Sequence, residues 1–207
     1  MAGVVAIPIR TGRARHAGPG GAPRLLDVRT RAAWRAWLRR HYRTEREIWL
    51  VFHKKHTGVA RVPYNDAVEE ALAFGWIDSV AHRLDDARYA QRFTPRRPKS
   101  PYSESNLARL RSMAARGRVA PDVLEKVRPL LEPSPIKVPA DIRTALKADA
   151  ETWKNFRAFS VSYKRIRIAY IDDARARPEE FAKRLSNFLR MTKANRIIGF
   201  GGIQKHY

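Results

Sequence analysis

Cysteine is absent from this 207-residue chain. That one absence removes disulfides, thiolate zinc sites, iron–sulfur clusters and cysteine nucleophiles together. Long apolar runs are missing too, and nothing approaches the roughly 20 residues that a membrane-crossing helix requires. The apolar start, Met1 to Ile9, has no basic segment before it and no small-residue cleavage site behind a full apolar core. It does not read as a secretory signal, and the expectation is a cytoplasmic protein. No His-Glu-x-x-His or Gly-x-Ser-x-Gly motif occurs, and Gly199-Phe200-Gly201-Gly202 lacks the Lys-Ser/Thr of a phosphate loop. Acidic residues are scarce: 20 Asp and Glu face 42 Lys and Arg, for a net charge of +22. Such a field attracts nucleic acid, anionic headgroups or acidic proteins, although Arg placed on plain solvated faces produces the same composition.

What is present is ordinary globular material, 44% hydrophobic, enough for one substantial domain or one with a satellite. Residues 1–23 are rich in Gly, Arg and Pro and read as a flexible tail. Residues 24–118 read as an α+β domain. Thr30 can cap a helix carrying Trp34, Trp37, Leu38 and Tyr42 on one face. Ile48-Trp49-Leu50-Val51-Phe52 suits a central strand covered on both sides, and Thr57-Gly58 turns the chain. Tyr64 to Phe74 reads as a short helix with Asn65 as its N-cap, Val68, Ala71 and Leu72 inward and Gly75 as the stop. Trp76–Arg83 and Arg88–Thr94 form a hairpin, and Ser103 caps a further helix that ends at Gly117. Residues 119–140, with Pro121, Pro129, Pro133, Pro135 and Pro139, read as a semi-rigid linker. The period is helical throughout 141–207, including a helix opened by Pro178. The fold class expected is α+β: a small, mainly antiparallel sheet with packed helices, then a helical C-terminal region.

The hairpin concentrates the chemistry. Aromatics, both charge signs and hydroxyls share two short strands, so the segment either fixes a core or forms one wall of a site. The candidate ligand-binding residues are Lys54, Lys55, Trp76, Asp78, Arg83, Tyr89, Arg92 and Thr94. Arg can grip a carboxylate or phosphate bidentately, and opposite charges on adjacent strands can equally pair across the sheet. Asp85-Asp86 sits where a turn favours Asp. His53 and His56 are three apart, but no carboxylate or thiolate nearby completes a metal site. No cofactor, no metal and no catalytic residue is assigned. Basic stretches at 35–46, 92–99 and 164–167 carry Trp37, Tyr42, Phe93, Tyr102 and Tyr163 among them, a mixture that suits single-stranded nucleic acid.

Trp49 to Gly58, then Asp66-Ala67-Val68-Glu69-Glu70-Ala71-Leu72-Ala73-Phe74-Gly75-Trp76-Ile77-Asp78-Ser79, then the Arg-Leu-Asp-Asp and Tyr-Ala-Gln-Arg-Phe-Thr-Pro-Arg segments, resemble the bacterial YdeI/OmpD-associated (bacteriocin-protection) family. The helical tail from Leu146 through Ser162-Tyr163-Lys164-Arg165 to Leu185 resembles that family's C-terminal region. Tyr102 stands where the family places Trp. The resemblance covers roughly residues 30 to 205. It implies a stress-related, non-enzymatic role in protection against bacteriocins or cationic antimicrobial peptides, and it sets a periplasmic location beside the cytoplasmic expectation. The partner so implied is an anionic ligand or an envelope-associated protein. Two other readings stand: a nucleic-acid-binding protein, and an enzyme with its site at the Trp76–Thr94 hairpin.

Overall fold

The computed structural model describes the backbone of residues 4–6 and, in full, residues 24–132, 135–199 and 202–207. Contacts divide the chain into two units: residues 1–100 with 117–125, and residues 101–116 with 126–207.

The first unit is built on a five-stranded sheet of order β1-β2-β3-β5-β4, from β1 (Val4–Ala6), β2 (Arg24–Leu26), β3 (Ile48–His53), β4 (Trp76–Arg83) and β5 (Arg88–Pro95). Among the described residues only β2 and β3 pair in parallel, so the sheet is mainly antiparallel, as expected. Val4–Ala6, assigned to the tail, forms an edge strand on β2; the rest of that stretch lies outside the described residues. Every residue of β3 is buried, as its unbroken apolar run requires of the middle strand.

Two helices cover one face. α1 (Arg31–His41) starts where Thr30 accepts the Ala33 N–H at 3.2 Å. Its Trp34 stacks on Trp37 with centroids 5.4 Å apart and meets Phe93 at 5.3 Å, while Trp37 takes Trp76 edge-on at 5.8 Å. Both fully buried indoles keep a partner for their N–H: Trp34 donates to the Ala67 carbonyl at 3.0 Å and Trp76 to the Tyr42 carbonyl at 3.1 Å. α2 (Tyr64–Ala73) begins one residue ahead of the expected cap. Pro63 precedes it, and Asn65 is instead buried inside the helix, donating to Glu69 at 2.7 Å. Gly75 ends the turn at φ +74°, a left-handed angle that favours glycine.

The second unit gathers α3 (Glu104–Ala115), α5 (Ala140–Lys147), α6 (Ala150–Ala158), α7 (Val161–Asp172) and α8 (Pro178–Lys193). Ile142, Leu146, Phe156, Tyr163, Ile168, Ile171 and Phe188 form its core. Ser103, Asp149 and Ser160 cap α3, α6 and α7, and Pro178 opens α8.

Within the stretch read as a linker, Pro121–Leu131 is helical (α4); its residues to Glu125 belong to the first unit and those from Lys126 to the second. Pro121 is harmless at the first helical position, and Val123 and Val127 bury an apolar stripe. Pro129, inside the helix, is exposed, so solvent can satisfy the carbonyl that it leaves without a helical donor. Apolar periodicity here outweighs proline content. No helix among the described residues is long and apolar enough to cross a membrane.

Candidate functional site

Strand parity decides which hairpin residues can share a site. Directly paired residues in an antiparallel ladder lie on the same face. Asp78 pairs with Phe93 and Arg83 with Tyr89, which in turn pairs with Phe52, so Asp78, Arg83 and Tyr89 occupy the helix-bearing face. Ser79 and Val80 form a bulge between Asp78 and Ala81 that keeps both sides of the ladder in phase. Arg92 pairs with Trp49 and Thr94 with Ile77, on the opposite face.

The candidates therefore separate into five settings. Trp76 is fully buried and belongs to the core. Arg92 is held by Glu47, its Nε donating to Oε2 at 2.6 Å. Asp78 accepts the Tyr64 hydroxyl at 2.5 Å, which ties α2 to β4. Tyr89 lies flat on Phe52, centroids 5.1 Å apart and planes 9° apart; burial pushes its hydroxyl pKa up, partly offset by the Arg61 charge. Arg83 donates to Asp86 and, at 3.3 Å, to the Asp85 carbonyl. Lys54 comes next to this turn through its backbone, whose N–H donates to Ala87 O at 2.8 Å, and Lys55 is exposed beside it.

Asp85 has the structural role that its turn position suggests. It accepts the N–H groups of Ala87 and Arg88 at 2.8 and 2.6 Å and Arg88 Nε at 2.8 Å. The Arg88 hydrogen bond, helped by those N–H groups, holds its carboxyl below the usual range. With Arg92 on the far face, Lys54, Asp78 and Arg92 do not assemble the constellation that catalysis at the hairpin would require. His53 is buried against Asp27, Nε2 to Oδ2 3.1 Å. No group of His, Asp and Glu among the described residues could hold a metal ion.

Two basic stretches far apart in sequence do meet. Trp76 donates to Tyr42 O and pairs with Pro95, and the Arg96 N–H donates to Gly75 O at 2.9 Å. The last turn of α1 and the segment after it, with Arg39, Arg40, Arg43 and Arg46, thus share one end of the sheet with Arg97 and Lys99, and all six side chains are exposed. Cations at the last turn of α1 are favoured by its carbonyl end. Of the aromatics interleaved with the basic stretches, Trp37, Phe93 and Tyr163 are buried, and Tyr42 is packed on Phe74 and bonded to Asp122 at 3.0 Å. They build cores rather than a platform for bases.

Local periodicity missed a buried charge cluster. Glu69 and Glu70 of α2 are buried along with Val68, Ala71 and Leu72. Glu70 receives Arg31 Nε at 2.5 Å, Arg35 Nη1 at 2.6 Å and Arg118 Nη2 at 2.8 Å. Arg31 also reaches Asp66 at 3.0 Å and Glu69 at 2.9 Å. The spacing of Arg31 and Arg35, one helical turn apart, was the available signal. The second missed feature is a cleft of about 430 Å³ in the helical unit between α7 and α8, with Arg167, Tyr170, Lys183 and Arg184 among its lining residues.

Comparison with protein families matches residues 135–195 to the family described as Bacteriocin-protection, YdeI or OmpD-Associated, and residues 26–126 to a domain of unknown function, DUF8412. The similarity to the YdeI/OmpD-associated family is thus supported over the helical region, while the hairpin and its signature fall in the separately described domain. No curated protein and no solved structure matches the chain.

Proposed function

We propose that this is a binding protein that engages an anionic partner through the basic end of its sheet-bearing unit. Its role is the protection against bacteriocins or cationic antimicrobial peptides that the name of the matched family carries. The observation that carries the reading is how the acidic side chains are spent. Among the described residues, all but Asp78, Glu125, Glu132 and Glu179 pair with a cationic side chain, and Asp78 is taken by Tyr64. The surplus of the +22 chain is left on exposed side chains such as Arg39, Arg40, Arg46, Arg97 and Lys99.

The sign of that charge constrains the mechanism. A surface of this kind repels a cationic peptide, so protection works through an anionic group of the cell rather than by capture of the peptide. Vesicles with and without anionic lipid test the binding step. The expected result is retention on anionic vesicles alone, falling with the logarithm of salt concentration, and weakened in an Arg39→Gln/Arg40→Gln/Arg97→Gln variant. Direct binding of a cationic peptide, or a triple variant that behaves like the parent, would overturn the reading. A deletion strain should become more sensitive to cationic peptides, and unchanged sensitivity would remove the protective role.

A further inference from the structure

Arg167 of α7 is a buried cation of the helical unit, only 7% exposed, and among the described residues no carboxylate pairs with it. Its Nη2 donates to the Ile198 carbonyl at 2.7 Å and to the Tyr207 hydroxyl. Its charge otherwise rests on ring faces: the guanidinium carbon stands 5.8, 5.9 and 5.7 Å from the centroids of Tyr163, Tyr170 and Tyr207. Its Nε is buried and, among the described residues, has no hydrogen-bond acceptor. A guanidinium taken out of water with a donor unmet and no counter-charge is a costly arrangement.

This side chain lines the cleft of about 430 Å³, a volume within the roughly 300–1,000 Å³ span of small-molecule sites. The floor is apolar, made by Ile166, Ile171, Phe188, Ile198 and Ile203. The rim adds two further cations. Arg184 lies over the Tyr170 ring at 3.8 Å and holds Glu180 with Nε to Oε1 2.7 Å, which depresses the Glu180 carboxyl and spends its charge internally. Lys183 is exposed, and its charge also acts on the Glu180 carboxylate. Three cations against one engaged carboxylate leave the cleft with positive charge over an oily floor.

We infer that this cleft binds an organic anion with a single charged head, a carboxylate or phosphate monoester, on an apolar body. The head meets Arg167 and Lys183, and the body covers the isoleucines and Phe188. An anion supplies the acceptor that Arg167 Nε lacks and the counter-charge that the helical unit does not provide. A neutral molecule of the same shape supplies only the apolar contact, and a cationic one meets like charge. The inference is independent of the polyanion surface proposed above, because it uses none of that surface's residues.

Isothermal titration of the full chain with decanoate, decyl phosphate, decanol and decylammonium tests it. Decanoate or decyl phosphate is expected to bind one per chain, with decanol weaker by about tenfold or more, the worth of a charge-assisted hydrogen bond. Whichever anion binds more tightly identifies the head. Arg167→Gln should remove the preference for anion over alcohol. Because that side chain is buried and its loss can disturb folding, the exposed Lys183→Gln should weaken the anion several-fold and leave decanol unchanged. An Arg39→Gln/Arg40→Gln variant should bind like the parent. Equal affinity for decanoate, decyl phosphate and decanol, no binding of either anion, or anion binding lost in Arg39→Gln/Arg40→Gln but kept in Lys183→Gln, would each overturn the assignment.

Discussion

Glu70→Gln should destabilise the sheet-bearing unit more than any single change to the cations that face it. The Glu70 side chain is fully buried and takes three guanidinium donors, two on Oε1 and one on Oε2. A glutamine there keeps one acceptor and points its amide donors at a guanidinium donor, so the loss is both of charge and of hydrogen-bond sense. Breaking a buried ion pair typically costs about 3–5 kcal/mol. The side chains of Arg31, Arg35 and Arg118 retain 24%, 29% and 38% exposure, so water recovers part of their solvation. The lower end, about 3 kcal/mol, is therefore expected. Arg118→Gln removes only the most exposed donor and should cost about 1 kcal/mol or less. Urea unfolding followed by tryptophan fluorescence is the suitable assay, because Trp34, Trp37, Trp49 and Trp76 all belong to this unit and only Trp153 does not. At a slope of roughly 1.5 kcal/mol per molar urea, Glu70→Gln should lower the midpoint by about 2 M. Equal shifts for the two variants would refute the argument that burial of the carboxylate sets the cost.

Two further outcomes follow from single positions. Asp149 caps α6 and accepts Lys193 Nζ at 2.9 Å and the Thr152 N–H and hydroxyl at 2.8 Å each; chiefly the Lys193 bond, with the two from Thr152, lowers its pKa to about 2. A carboxyl depressed in the folded state stabilises above its unfolded value near 4 and loses that contribution as pH falls through about 2. Asp149→Ala should therefore flatten part of the stability loss between pH 4 and pH 2, and a pH–stability profile of unchanged slope would rule the linkage out. Gly75→Ala forces a side chain into φ +74° and brings a Cβ to 3.3 Å from Val123 Cγ2. A loss of about 1–2 kcal/mol is expected by urea unfolding.

Some of the architecture could be read locally and some could not. Thr30, Ser103, Pro178 and Gly75 mark helix ends through rules that operate within a few residues, and each occupies the place that those rules assign. The run Ile48–Phe52 announced a doubly covered strand without reference to its partners. Asp85 could be assigned to the turn because the acceptor geometry there is local. Trp76 and Arg92 needed the register: alternation shows that Tyr89 and Phe93 share a face, but only pairing with β3 and β4 shows that face to be the one under Trp34. Glu69 and Glu70 were illegible for a different reason. Their neutralising guanidiniums come from α1 and from Arg118, tens of residues away, and amphipathic periodicity assigns charged positions to solvent by default. Arg167 was hidden the same way, since it lies between Ile166 and Ile168 in a helix that buries all three.

The two positive features of this chain differ in kind, and salt should separate them. Arg39, Arg40 and Arg97 are exposed, and exposed charges farther apart than a Debye length of about 8 Å at physiological ionic strength are screened from one another and from a partner. Arg167 is 7% exposed beside three tyrosine rings and a carbonyl, and a buried charge is screened much less by salt. Raising salt should therefore release anionic vesicles from the basic end while a small organic anion in the cleft remains bound. Had the charge been only a matter of composition, with arginine spread over solvated faces, both responses would fall together with ionic strength. The buried, unpaired guanidinium is the one cation of the set that such a compositional account does not explain, because burial removes the solvation that makes a surface arginine inexpensive.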